Sequence, residues 1–100
     1  MARKPYYRPR ITGIYQITCT ATNQFYIGKS VHIPSRWASH INSWITGTHH
    51  NHHLQALYDE YGIESLVFTI LEYTSKANLS SIERKHILAS KNNSLNLNIK

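Results

Sequence analysis

Three residue types that can handle a phosphodiester bond stand at suggestive spacings in this 100-residue chain. Arg36 and His40 are four residues apart, so on a helix they project from one face, offset from the apolar stripe of that helix. There a guanidinium and an imidazole can bind phosphate oxygens. Glu83 supplies a carboxylate, the hard oxygen ligand that Mg²⁺ or Mn²⁺ prefers. These residue types are suited to phosphate chemistry assisted by a divalent metal. The alternative is a set of solvated surface side chains.

Two tyrosines stand beside glycines in short apolar runs, Gly13-Ile14-Tyr15 and Tyr26-Ile27-Gly28. A phenol with its ordinary pKa of about 10 is a poor base at neutral pH, so a catalytic role needs nearby cations such as Lys29 or a metal. In a hairpin, the two tyrosines are expected near opposite ends, sharing one face if the register allows. The alternative is that both are ordinary strand residues.

The two tripeptides, together with polar residues farther along the chain, resemble the signature of the GIY-YIG nuclease superfamily. The resemblance runs from about residue 12 to 99 and includes Lys29-Ser30, Arg36, His40, Glu83 and Asn98. It implies a divalent-metal-dependent DNA endonuclease that hydrolyses phosphodiester bonds with one Mg²⁺ or Mn²⁺ ion. Homing, restriction and repair nucleases share this domain, and the small size of a lone domain favours a homing or mobile-element enzyme. A non-catalytic nucleic-acid-binding module of the same fold is the rival.

The resemblance also implies a role for each matched residue. Glu83 holds the metal, Arg36 contacts the scissile phosphate, and Tyr15 is the general base, directly or through a neighbour. Tyr26 orients water or phosphate. Supporting positions are Lys29, His40 and Asn98, with Asn96 as an alternative match for the last.

Excess positive charge predicts a polyanionic partner. Lysine and arginine number 11 against 5 acidic residues, for a formal charge of +6. We divide the chain into a basic N-terminal arm, 1–10, and a nuclease domain, 11–100. A frayed terminus is the alternative for the arm. Residues expected to contact nucleic acid are Arg3, Lys4, Arg8, Arg10, Lys29 and Arg36. With only two residues after Asn98, we expect either a free-standing nuclease of loose specificity or a chain that needs a homodimer or a separate DNA-targeting partner.

The sequence shows neither a membrane-spanning segment nor a signal peptide, and this indicates the cellular compartment. No apolar run approaches the roughly 20 residues of a membrane span, and no signal-peptide pattern comes after Met1. We therefore expect a soluble cytoplasmic or other intracellular protein. The single Cys19 stands among strand residues and is predicted to be a packed thiol.

The elements that position these residues are predicted from spacing and turn residues. The order is β-β-α-α-β-α, an α+β domain whose small three-stranded antiparallel sheet is covered by helices. The strands are 11–18, 25–29 and 66–72, the first two forming a hairpin through residues 21–24. The first helix is predicted from Ile33 or Pro34 to near Gly47, and the second includes Leu54, Leu57 and Tyr61 and ends at Gly62. The third is predicted from about 77 to 90, with Asn78 or Ser80 as its N-cap.

Helical periodicity predicts which faces are buried. The first helix presents an apolar stripe with both tryptophans in the core, and the second a face of three residues. In the last helix Leu79 and Ile82 are buried with one of His86, Ile87 and Ala89. The first stripe comprises Ile33, Trp37, Ile41, Trp44 and Ile45, and the second face Leu54, Leu57 and Tyr61.

Four histidines lie within residues 49–53, which the resemblance does not explain. A structural metal site usually draws ligands from two elements, often with cysteine or aspartate, and none is near. We predict instead a loop that touches the DNA backbone, more strongly below about pH 6.5 as the imidazoles become charged.

Overall fold

Three antiparallel strands form one open sheet in the computed structural model, which describes residues 10–98. Strand β1 is Gly13–Cys19, β2 is Phe25–Ser30 and β3 is Leu66–Tyr73, with β1 in the middle. In the β1–β2 turn, Asn23 adopts a left-handed φ of 66°, which asparagine tolerates better than most residues. The predicted hairpin is confirmed, although β1 begins two residues later than expected.

Three helices cover the sheet: α1 is Ile33–Thr46, α2 is His52–Tyr61 and α3 is Leu79–Ala89. Helix α1 ends where Gly47 takes a left-handed φ of 73°. The N-terminus of α2 is capped by Asn51, whose side chain accepts from the amides of His53 and Leu54. The element order confirms the predicted α+β fold.

The last helix starts later than predicted. A short 3₁₀ turn, Lys76–Asn78, precedes α3, which therefore begins at Leu79 rather than near residue 77. Asn78 occupies the N-cap position, but its side chain makes no capping hydrogen bond. Of the candidates for its buried side, Ile87 packs into the core with Ile82 and the buried Leu79.

Alternation along the strands directs neighbouring residues to opposite faces of the sheet. One face packs against α1 and α2, and contains Tyr15, Ile17 and Cys19 of β1. The other packs against α3, through Ile14, Ile27 and Leu79. Cys19 is buried and unpaired, as predicted. Consecutive residues of β1 therefore serve two separate cores, and Tyr15 faces α1.

The buried stripe of α1 differs from the predicted one by including a histidine. Ile33, His40 and Trp44 are buried, and Trp37 packs against the same core, so the tryptophan prediction is confirmed. Ile45 is 64 % exposed, because it lies about 100° of helical rotation beyond Trp44. In α2 the predicted Tyr61 is 42 % exposed, and Tyr58 packs against Trp44 instead.

Residues 95–98, which we call the closing segment, lie along the outer edge of β2. The amide of Phe25 donates to the carbonyl of Leu95 at 2.9 Å, and the amide of Leu97 donates to the carbonyl of Phe25 at 2.7 Å. Asn98 extends the pairing with its side chain: it accepts from the Ile27 amide at 2.9 Å and donates to the Ile27 carbonyl at 2.7 Å. The segment leaves no open edge on this stretch of β2.

The predictions of a basic arm and of no membrane span can be compared with the structure only within the described residues. Within 10–98, Arg10 is exposed, whereas Arg3, Lys4 and Arg8 of the predicted basic arm lie outside that range. No helix between residues 10 and 98 is long and apolar enough to cross a membrane.

Candidate active site

The glycines of both tripeptides are required by close packing. Tyr15 is fully buried and pairs across the hairpin with Gly28. A methyl group at Gly28 would overlap the phenol ring of Tyr15, so only glycine leaves room for the ring at this position. A methyl group at Gly13 would overlap the carbonyl oxygen of Glu72 on β3. Gly28 thus makes room for the ring of Tyr15, and Gly13 lets β1 pack closely against β3.

The two tyrosines are diagonal neighbours and share a face of the sheet. Tyr15 pairs with Gly28, and Ile17 pairs with Tyr26, so the phenols lie only two positions apart. The prediction that they lie near opposite ends of the hairpin is wrong. Both rings meet His40 edge-on, with centroid separations of 5.7 Å for Tyr15 and 5.9 Å for Tyr26. The register therefore gathers both phenols around one imidazole of α1.

Tyr15 ends a chain of hydrogen bonds that starts at the main chain. The amide of Asn51 donates to Nδ1 of His49 at 3.0 Å. His49 Nε2 lies 2.6 Å from His40 Nδ1, and His40 Nε2 lies 2.7 Å from the Tyr15 hydroxyl. We call Asn51, His49, His40 and Tyr15 the imidazole chain. His40 is thus a buried partner of Tyr15. It lies within the apolar stripe of α1, so the prediction that it is offset from that stripe is wrong.

Burial keeps the histidines of this chain neutral. It lowers the pKa of His40 to about 3, assisted by the positive charge of Arg36. It lowers the pKa of His49 to about 4, assisted by His50 and, to a lesser extent, Arg36. The pKa of the exposed His50 is also lowered, by partial burial and by Arg36. The prediction that this loop charges below pH 6.5 is therefore wrong for His49.

Arg36 and Glu83 both act electrostatically on the two tyrosines. Burial is the main cause that raises the pKa of Tyr15 above its usual value, and likewise that of Tyr26. The Arg36 guanidinium lowers both pKa values, and the Glu83 carboxylate raises both. Side chains from β1, β2, α1 and α3 are therefore within electrostatic range of one another.

Lys29, which was predicted together with a metal as a cation beside the tyrosines, contacts Glu83 in the structure. Its Nζ lies 3.5 Å from Oε1 of Glu83 and donates to Oγ of Ser80 at 2.9 Å. The Glu83 side chain is 22 % exposed and that of Lys29 is 41 % exposed. Arg36 is the cation that acts on the phenols, while Lys29 compensates the charge of the carboxylate.

The donor set around Glu83 fits a magnesium-type ion. Between residues 10 and 98, no group of three or more histidine, cysteine, aspartate or glutamate side chains is placed to hold a metal. One carboxylate completed by water and substrate phosphate is a usual arrangement for Mg²⁺, whereas structural zinc takes four protein ligands. The histidines of residues 49–53 likewise form no group that could hold a metal, and both ring nitrogens of His49 are already used in hydrogen bonds.

Asn98 supports the candidate site from the outer edge of β2. Its amide pairs with the main chain of Ile27, next to Tyr26 and Gly28. The alternative match, Asn96, bonds instead to Ser90 and to the amide of Asn98. Asn98 is therefore the asparagine that contacts the motif strand.

His49 and Asn51 belong to the site although sequence reasoning does not assign them to it. A histidine run is visible in the sequence, but it gives no sign of which imidazole turns inward. Asn51 is 1 % exposed, and besides capping α2 it donates from its side chain to the carbonyl of Leu97 at 3.0 Å. Asn51 thereby joins the candidate site to the closing segment.

Comparison with known proteins gives consistent results from sequence and from structure. The family model for the GIY-YIG catalytic domain matches residues 11–96. A glutamate-to-alanine variant of the catalytic domain of the intron endonuclease I-TevI is similar, with a TM-score of 0.80 and 26 % identity over 90 % of this chain and 94 % of that one. The catalytic domain of the homing endonuclease I-TevI is similar too, with a TM-score of 0.74 and 29 % identity over 88 % of this chain and 99 % of that one. No curated protein sequence matches the chain.

Proposed function

Because this chain belongs to the GIY-YIG nuclease family, we propose that it is a divalent-metal-dependent DNA endonuclease that uses a single metal ion. The proposal is carried by two contacts: His40 of α1 bonds to the Tyr15 hydroxyl at 2.7 Å, and Lys29 of β2 lies 3.5 Å from Glu83 of α3. Arg36 and Glu83 are also near enough to Tyr15 and Tyr26 to shift the pKa values of both. Hydrolysis of a phosphodiester needs a base for water, a cation for the phosphate and a ligand for the metal, and these four residues are suited to those tasks.

Glu83 is the residue that would hold the metal. Its carboxylate is partly exposed, and its neighbour in the structure is the exposed ammonium group of Lys29. When bound, Mg²⁺ or Mn²⁺ supplies positive charge that acidifies water and neutralises phosphate oxygens. Lys29 would then be free to turn toward the nucleic acid backbone.

Arg36 is suited to bind the scissile phosphate. A guanidinium offers a planar fork of donors to two phosphate oxygens, and the charge that develops there in the transition state strengthens the interaction. Arg36 is half-buried on α1, one turn before His40. Because part of its solvation is already removed, its interaction with phosphate is stronger than that of a surface arginine.

Tyr15 is the proposed base, with Tyr26 orienting water or phosphate. A phenol must lose its proton before it can accept one from water, and burial opposes that loss. Arg36 favours it, since its charge lowers the pKa of Tyr15. His40 contacts the hydroxyl directly at 2.7 Å and holds the ring in one orientation.

The similarity to a homing endonuclease supports a homing or mobile-element role, with DNA as substrate. Phosphate contacts are proposed for Arg10, Lys29 and Arg36, together with Arg3, Lys4 and Arg8. A single site cuts one strand at a time, so a second copy of the chain or a separate DNA-targeting partner is proposed for cutting both.

Plasmid nicking with Mg²⁺, Mn²⁺ or EDTA tests the proposal. We expect nicking only with metal, near-complete loss in Glu83→Gln, and a loss on the order of 10²- to 10³-fold in Arg36→Ala, because each removes charge stabilisation of the transition state. Glu83→Gln should still shift DNA in EDTA. Glu60→Gln and Arg84→Ala, at exposed positions of α2 and α3, are the matched controls.

Two results would contradict the proposal. Nicking that persists in EDTA, or in Glu83→Gln, would remove the metal role of Glu83. DNA binding without metal-dependent cleavage under any of these conditions would identify a binding module of the same fold.

A further inference from the structure

The imidazole chain has a fixed direction, set at its Asn51 end. A main-chain amide can only donate, so Nδ1 of His49 must accept the hydrogen bond from Asn51. A neutral imidazole carries a proton on one nitrogen, and for His49 that nitrogen is therefore Nε2. The low pKa of His49, about 4, means that the ring is neutral at physiological pH.

The same logic carries the direction to Tyr15. His49 Nε2–H donates to Nδ1 of His40 at 2.6 Å, so the proton of the neutral His40 ring lies on Nε2. That proton is then donated to the Tyr15 oxygen at 2.7 Å. Three donors in series point from the main chain toward the phenol.

We propose that the main-chain amide of Asn51 fixes the tautomers of His49 and His40, so that His40 donates to the Tyr15 oxygen and cannot take up the phenol proton. His49 and Asn51 are accordingly positioning residues of the nuclease, an inference that rests on the proposed function. A donor on the phenol oxygen stabilises the phenolate. The phenol's own proton must leave on another side, toward the reaction centre.

Asn51 is held too firmly for the amide to turn away. Its side chain accepts from two amides of α2 and donates to Leu97 of the closing segment. It is buried at the junction of α2 and the closing segment. Reversal of the chain would place two donors against each other at His49 Nδ1, which is unfavourable in a buried site.

Nitrogen NMR of the histidine side chains tests the tautomers without any cleavage assay. Long-range ¹H–¹⁵N spectra of the ¹⁵N-labelled full chain at neutral pH, free of metal and DNA, distinguish protonated from unprotonated ring nitrogens. We expect protonated Nε2 and bare Nδ1 in both His40 and His49, assigned with His40→Gln and His49→Gln. A proton on Nδ1 of His40, or a doubly protonated His49, would overturn the inference.

A matched pair of substitutions tests the consequence for catalysis. His49→Gln keeps an amide donor for His40, whereas His49→Leu has none and frees His40 to reverse. We expect His49→Leu to lower the single-turnover cleavage rate on the order of 100-fold, with the DNA Kd in EDTA changed less than about twofold. His49→Gln should recover most of the rate, and His86→Gln, which lies on α3 beside Glu72, should match the unmodified chain.

The two readouts separate this inference from the proposed function. The expected tautomers in a chain that does not cut DNA would refute the nuclease and leave the direction of the chain intact. Cleavage with equal rates in His49→Leu and His49→Gln would refute positioning by His49. If His49→Leu fails to fold, the NMR spectra of the unmodified chain still decide the direction.

Discussion

At the scale of single residues, the hydroxyl of Tyr15 is the point where packing and chemistry meet. The ring lies on Gly28, its edge meets Trp37 at a centroid separation of 6.1 Å, and its oxygen bonds to buried His40. A polar atom in such surroundings is tolerated because its partner is present. The same oxygen is therefore part of the packing and is the one proposed to act as the base.

Removing that oxygen should reduce both stability and activity. Tyr15→Phe keeps the ring but leaves the His40 N–H buried without an acceptor, which costs about 1–3 kcal/mol. We expect that loss of unfolding free energy in urea titrations, and no detectable cleavage. Tyr58→Phe, which makes the same chemical change on a half-buried ring stacked on Trp44, is the control. Equal stability and equal cleavage in the two variants would contradict the assignment.

The position of His40 shows why a sequence cannot assign such a residue alone. Spacings of four, three and four from Ile33 through Trp37 and His40 to Trp44 place all of these residues on one stripe. A polar residue type predicts a surface position, and its partner Tyr15 is 25 residues away in the sequence. Motif spacing predicts site roles for Arg36 and Glu83, and in the structure the charges of both side chains shift the pKa values of the same two tyrosines.

At the scale of elements, the closing segment completes the hairpin that contains both motifs. Asn98 joins the amide and carbonyl of Ile27, and Leu97 receives the side chain of Asn51. The edge of β2 next to Tyr26 and Gly28 is thus held by residues that lie beyond α3 in the sequence. The position of Tyr26 depends on this support.

Truncating Asn98 should loosen the edge of β2. Asn98→Ala removes two hydrogen bonds to Ile27, each worth about 0.5–1.5 kcal/mol, so we expect a loss of about 1–3 kcal/mol. In a domain of this size that lowers the Tm by roughly 4–8 °C per kcal/mol, measurable by circular dichroism. Asn92→Ala, at an exposed position after α3, is the control. An unchanged Tm for Asn98→Ala would show that the amide does not hold the strand.

Element order was predictable because the local signals agreed with the tertiary structure. Alternating strands, Pro34 in the first turn of α1 and glycines at the ends of α1 and α2 all acted as expected. Two of the errors in predicted burial lie at helix ends. Ile45 lies about 100° around the helix from buried Trp44, and Tyr61 is the last residue of α2, so both are exposed.

At the scale of the whole molecule, two buried neutral histidines make folding depend on pH. In the unfolded chain His40 and His49 have the ordinary pKa of about 6.5, whereas folding lowers it to about 3 and about 4. Below pH 6.5 the unfolded state therefore binds protons that the native state does not. Their contribution favours folding most above pH 6.5 and is lost as the pH falls toward the native values.

We expect unfolding free energy to fall with pH in that window. Two protons give a slope of up to about 2.7 kcal/mol per pH unit between about pH 6 and 4.5, measured by urea titration at several pH values. His49→Gln should reduce the slope by about one proton, and His53→Gln, at an exposed position, should leave it unchanged. A flat profile for the unmodified chain would mean that the two rings are protonated in the native state.

The pairing of Ile27 with Asn98 spans 71 residues, and this long separation bears on how the protein is made. A chain emerging from the ribosome can form its hairpin and first helices early, since those contacts are local. It cannot secure the motif strand or tether Asn51 until synthesis has passed residue 98. Unfinished copies lack this support for the proposed active site, so we expect them not to cut DNA until residue 98 has been synthesised.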